Sequence, residues 1–123
     1  MDAGRIVRVP FPVDDNPGKK KYVICVEPHQ GFFFLISSHK RRYTPASVEV
    51  TPDELPFLTT DSHINAGEVY EFHVGALDTH IADYPDDDLG MLPAGVRQRV
   101  REAVETLGRT LSPQQKQAIL NHL

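Results

Sequence analysis

Apolar and polar positions follow two periods along this chain, and the change between them falls near Pro93. In the first part the period is two. Arg5-Ile6-Val7-Arg8-Val9 is β-branched and partly alternating, which predicts a strand, with Pro10 and Pro12 ending its pairing because proline offers no ladder donor. Tyr22 to Val26 is apolar on both faces and predicts a buried strand. Pro28-His29-Gln30-Gly31 has hairpin length, so the next run, Phe32 to Ser37, is expected antiparallel to it. Ser47-Val48-Glu49-Val50 alternates as a short fourth strand. Thr51-Pro52-Asp53-Glu54-Leu55 has the form of one helical turn, with Thr51 as N-cap and Glu54 reaching back. Glu68 to Val74 is the expected fifth strand, and the acidic run Asp83 to Asp88 an expected loop.

After Pro93 the period becomes helical. Val96, Val100, Val104 and Leu107 recur at i, i+4, i+8 and i+11, with Arg97, Arg101, Glu102 and Glu105 between them, and Gly108 is placed to stop the helix. The apolar face is expected to cover a core, with a dimer or partner contact as the other reading. A second helix is announced by Ser112 at the N-cap, Pro113 at the first position and Gln115 completing a capping box; Ile119 and Leu123 share one of its faces. Strands followed by helices predict an α+β fold with a small antiparallel barrel or strongly bent sheet, in one domain: barrel about residues 4–75, acidic loop about 76–90, C-terminal helices about 93–123.

The chain has 123 residues, 40% hydrophobic, enough for a real core. Its one cysteine, Cys25, lies between Ile24 and Val26, where burial would make a thiol inert, so a Cys nucleophile is not expected. A single cysteine, no apolar stretch near ~18–20 residues and no signal-peptide core predict a cytoplasmic protein with no membrane span. Charge is segregated. Residues 1–50 carry eight Lys/Arg and five Asp/Glu, residues 51–90 ten Asp/Glu and no Lys or Arg, and residues 91–123 five Lys/Arg and two Glu. A polyanion would be drawn to the first or last block and repelled by the middle one; equally, each block could be a solvated face.

Several chemistries lack their signatures: GxxxxGK[ST], GxGxxG, CxxC, HExxH and GxSxG do not occur. Asp78 with His80, or His73 with His80, come nearest to a metal pair but match no ligand spacing, so no metal and no cofactor are expected. Two polar clusters remain. Ser37-Ser38-His39-Lys40-Arg41-Arg42 ends the most apolar strand, and Thr59-Thr60-Asp61-Ser62-His63 precedes the last one. Lys19-Lys20-Lys21 leads the second strand. A short hairpin places Lys21 beside Ser37 and Ser38, giving one basic, hydroxyl-bearing rim. Cations neutralise phosphates, hydroxyls donate to their oxygens, and a histidine can move a proton, so the rim suits an RNA backbone. A charged loop guarding a strand edge and a turn entering a strand would account for the same residues.

The order of features is similar to the MazF/PemK family, the ribonuclease toxins of bacterial toxin–antitoxin pairs. GRIVRVPFP resembles their opening strand, KKKYVICV stands where a strand led by Arg-Pro follows a flexible loop like VDDNPGKK, and FFFLISSHK stands where the third strand ends in a hydroxyl. DSHINAGEVYEF resembles the segment before the last barrel strand and GMLPAGVRQRVREAVETL the closing helix, so the likeness covers about residues 4–107. The resemblance implies an SH3-like β-barrel, a homodimer, metal-independent cleavage of single-stranded RNA to a 2′,3′-cyclic phosphate, and an antitoxin protein that blocks the groove. It places Lys21 at the family's catalytic Arg and Ser37 or Ser38 at its hydroxyl position. The Arg-Pro itself is absent, and Lys gives a point charge in place of a planar fork. The Ser112–Leu123 helix extends beyond the family's usual end. On this reading Lys21, Ser38, His39 and His63 are the catalytic candidates, and Lys19, Lys20, Ser37, Lys40, Arg41, Arg42 and Asp61 contact RNA. The alternative is a non-catalytic barrel that binds nucleic acid or a protein partner.

Overall fold

The structure is a computed structural model that describes residues 1–10, 20–38 and 46–123. The described chain runs through strands β1 (Arg5–Pro10), β2 (Lys20–Glu27), β3 (Phe32–Ser37), β4 (Ser47–Val50) and β5 (Ser62–Glu71), then helix α1 (Val74–Asp83) and a 3-10 turn (Pro85–Asp87). Strand β6 (Asp88–Met91) and helices α2 (Ala94–Leu107) and α3 (Pro113–His122) complete it. The fold is α+β. The strands form one antiparallel sheet in the order β4-β5-β3-β2-β1-β6, curled into a half-barrel. Among the described residues no helix is long and apolar enough to cross a membrane.

The central strands are apolar on both faces because both faces are covered. On one face Ile6, Ile24, Phe34, Ile36 and Ile64 pack under α2 and α3, which contribute Val96, Val100, Ala103, Val104 and Ile119. On the other, Val7, Val9, Val23, Cys25, Phe33 and Leu35 pack with Leu77 of α1. Burial pushes the Cys25 thiol up to about 12, so it stays protonated and inert, as its place between Ile24 and Val26 implies. The capping box that opens α3 is complete, with Ser112 and Gln115 each satisfying the other's backbone N–H. The turn after β4 also forms, the Thr51 carbonyl accepting from the backbone of Glu54 and Leu55.

Gly31 closes the β2–β3 hairpin at φ +73°, and a Cβ there would lie 2.1 Å from the carbonyl oxygen of Phe72, so only glycine fits. β5 curls at a bulge. Phe33 pairs with Tyr70 but Leu35 pairs with Asn65, so the intervening β5 residues bow out of the ladder. Buried Asn65 holds the bow, its side-chain oxygen accepting from the Gly67 N–H at 3.1 Å.

Three expectations are corrected. The last long strand begins at Ser62 and ends at Glu71, because its bulge hides the alternation before Glu68. The segment expected as an acidic loop holds α1, the 3-10 turn and β6, and the carboxylates at its end fold back onto cations of β1 and β2. Leu107 is 43% exposed, and Ala103 takes the fourth core position of α2.

Candidate functional site

At one end of the central strands the start of β2, the β3 terminus and the segment before β5 surround a cleft of about 360 Å³. Lys20, Lys21 and Tyr22 of β2 line it, with Ile36 and Ser37 of β3, Ser38, Leu58, Thr59, Thr60 and Ser62. The ladder explains the convergence. Tyr22 pairs with Ile36, so the next residues outward, Lys21 and Ser37, lie side by side. Ser37 pairs in turn with His63, which brings the start of β5 to the same rim. The Tyr22 ring packs on Phe57 at 4.8 Å between centroids, and the Ser62 hydroxyl donates to the Thr60 carbonyl at 3.1 Å. The cleft is thus lined by apolar, hydroxyl-bearing and lysine residues together.

The expected site residues distribute as follows. Lys21, Ser37 and Ser38 line the cleft together. His63 stands opposite Ser37 in the ladder but is not among the lining residues, and Asp61 is exposed between Thr60 and Ser62. Lys19, His39, Lys40, Arg41 and Arg42 lie outside the described residues. Lys20 borders the cleft, yet its ammonium is 2.7 Å from Asp87 Oδ2 and lies over the Tyr84 ring. Its charge is therefore already matched within the molecule. The sequence pattern did not tie Thr59, Thr60 and Ser62 to Ser37 and Ser38; the two polar clusters meet because β5 is the neighbour of β3.

Asp87 is the hub of the acidic block. It is fully buried and accepts from Arg8 Nε at 2.8 Å and Lys20 Nζ at 2.7 Å, with His80 Nε2 at 2.8 Å. Burial by itself would raise its carboxyl, but the hydrogen bonds from Lys20, Arg8 and His80 outweigh it and hold it down to about 2. Arg5 grips neighbouring Asp88 with contacts of 2.8 and 3.0 Å. The residues nearest to a metal pair in sequence are otherwise engaged. Asp78 meets the N-terminal ammonium at 3.5 Å, and His73 caps α1 by accepting from the Ala76 N–H at 3.1 Å.

No protein-family model matches the chain, and no curated protein matches it.

Proposed function

We propose that the cleft holds the backbone of single-stranded RNA and that the chain is a MazF/PemK-like endoribonuclease built on an SH3-like barrel. The supporting observation is the meeting of Lys21, Ser37 and Ser38 with Thr59, Thr60 and Ser62 in one cleft. In the reaction the RNA 2′-oxygen bonds to phosphorus while the bond from phosphorus to the 5′-oxygen breaks. The proton leaves the 2′-hydroxyl for a base and a proton reaches the departing 5′-oxygen, giving a 2′,3′-cyclic phosphate and a 5′-hydroxyl. Lys21 supplies positive charge where the pentavalent phosphate gains negative charge, and Ser38 donates to a phosphate oxygen. His39 or His63 carries the proton in this reading. The homodimer and the blocking antitoxin belong to the same proposal.

Purified protein with chelator, incubated with single-stranded RNA, tests it. Cleavage to cyclic phosphate ends is expected, with Lys21→Ala slower by about 10²-fold or more and Ser38→Ala impaired less. Lys20→Ala is expected to cleave near the parent rate. Absence of cleavage would overturn the enzymatic reading.

A second reading, RNA binding without cleavage, is favoured by one observation: among the described residues no imidazole lines the cleft. Its mark is RNA binding that weakens steeply with salt, without product and without growth arrest on induction.

A further inference from the structure

At the opposite end of β2 from its lysines, the strand finishes in a buried carboxylate. Glu27 is 1% exposed, and its oxygens accept the backbone N–H groups of His29, at 2.9 Å, and Gln30. These bonds hold the turn and fix the carboxylate in place, while a carboxylate has further lone pairs to offer. His122, in the last turn of α3, brings Nε2 to 3.7 Å from Glu27 Oε1. Its Nδ1 lies 2.8 Å from the Ala118 carbonyl oxygen. In a neutral imidazole that contact places the proton on Nδ1 and leaves the Nε2 lone pair directed at the carboxylate. The His29 ring meets the His122 ring edge-on, 5.1 Å between centroids. One ligand atom each from Glu27, His29 and His122 lies within 4.8 Å of the others. Both rings border a cavity of about 440 Å³ that also reaches Met1, Asp2 and Val74.

We propose that Glu27, His29 and His122 form a binding site for a divalent transition-metal ion, with zinc the best match. Two imidazoles and a carboxylate suit zinc, whereas magnesium and calcium favour oxygen ligands throughout. Zinc bonds of about 2.0–2.2 Å in a tetrahedron set ligand atoms roughly 3.3–3.6 Å apart. Small rotations of His29, exposed on its turn, and of half-buried His122 close the present spacing around the fixed Glu27. The support behind the ligands is already built. The Ala118 carbonyl orients the His122 ring, as backbone carbonyls commonly do for ligating histidines. Arg97 fastens the backbone beside it, donating to the carbonyls of His122 at 3.0 Å, Leu123 at 2.6 Å and Ala3 at 3.1 Å. Three protein ligands leave a fourth position for water or a small anion from the cavity. A protonated His122 paired with Glu27 would give the same 3.7 Å contact without a metal, so the two accounts differ in what zinc does.

The experiment is a calorimetric titration of the untagged, EDTA-treated chain with zinc chloride at pH 7.5, and a parallel titration with magnesium. One equivalent of zinc is expected to bind with a micromolar or tighter Kd, and magnesium not to compete. His29→Ala and His122→Ala should each weaken zinc by about 100-fold or more. Because Glu27→Gln also disturbs the turn, the histidine variants carry the test. No saturable zinc binding, or the same affinity in the doubly substituted chain, overturns the proposal. RNA cleavage in chelator is a separate readout, so the fate of either proposal leaves the other standing.

Discussion

Two buried carboxylates, Asp87 and Glu27, show opposite ways of compensating a charge removed from water. Asp87 is surrounded by the side chains of Arg8, Lys20 and His80, drawn from β1, β2 and α1. Two of these partners, Arg8 and Lys20, are cations 79 and 67 residues away in sequence, so Asp87 locks the segment after α1 onto the sheet. Glu27 is held by two backbone N–H groups of its own turn, with one imidazole at 3.7 Å. No lysine or arginine contact to Glu27 is found among the described residues. The first arrangement is saturated and acts as a fastener. The second retains acceptor capacity beside a cavity and two rings, which is the arrangement a cation needs.

Neutralising the two groups should separate them most widely. Asp87→Asn is expected to cost about 3 kcal/mol, the low end for stripping a buried ion cluster of one partner, because Arg8 and Lys20 remain 40% and 36% exposed. Glu27→Gln in metal-free protein should cost about 1–2 kcal/mol, since the amide keeps one acceptor oxygen for the turn. Denaturant unfolding of both variants measures the gap, and equal losses would remove the distinction. Acid should act next. The Asp87 carboxyl is held below its ordinary value, so its contribution is complete above about pH 4 and is lost as pH falls towards about 2. Between those limits the parent should lose about 2 kcal/mol of stability that Asp87→Asn does not lose. The smallest effect is expected from Lys20→Ala, about 0.5–1 kcal/mol, because its end of the ion pair is partly solvated.

The parts of the fold that are legible in the sequence are those held by local rules. β1 to β4 follow from alternation and apolar runs, and α2 and α3 from a helical repeat and a capping box. α1 escaped because its apolar set, Val74, Leu77 and Ile81, is sparse and its N-cap is a histidine, an uncommon choice. β6 is four residues long and exists through its pairing with β1, a partner some eighty residues away that no local pattern announces. The same holds for sites. Lys21 beside Ser37 and Ser38 follows from the length of one hairpin, so it could be read in advance. The ion pair of Lys20 with Asp87 is not legible, because nothing near Lys20 in sequence reveals its partner. Glu27 and His29 are two residues apart, but the third member, His122, arrives only when α3 packs over the end of β2.

Cys25 has no accessible surface in the folded chain and its thiol is held near 12. Alkylating reagents therefore reach it through molecules that have opened enough to ionise it. Because its side chain lies on the sheet face that packs with Leu77 of α1, such opening must uncover that face. The protein thereby carries its own stopwatch for rare excursions from the native state, with one reactive atom and no introduced label.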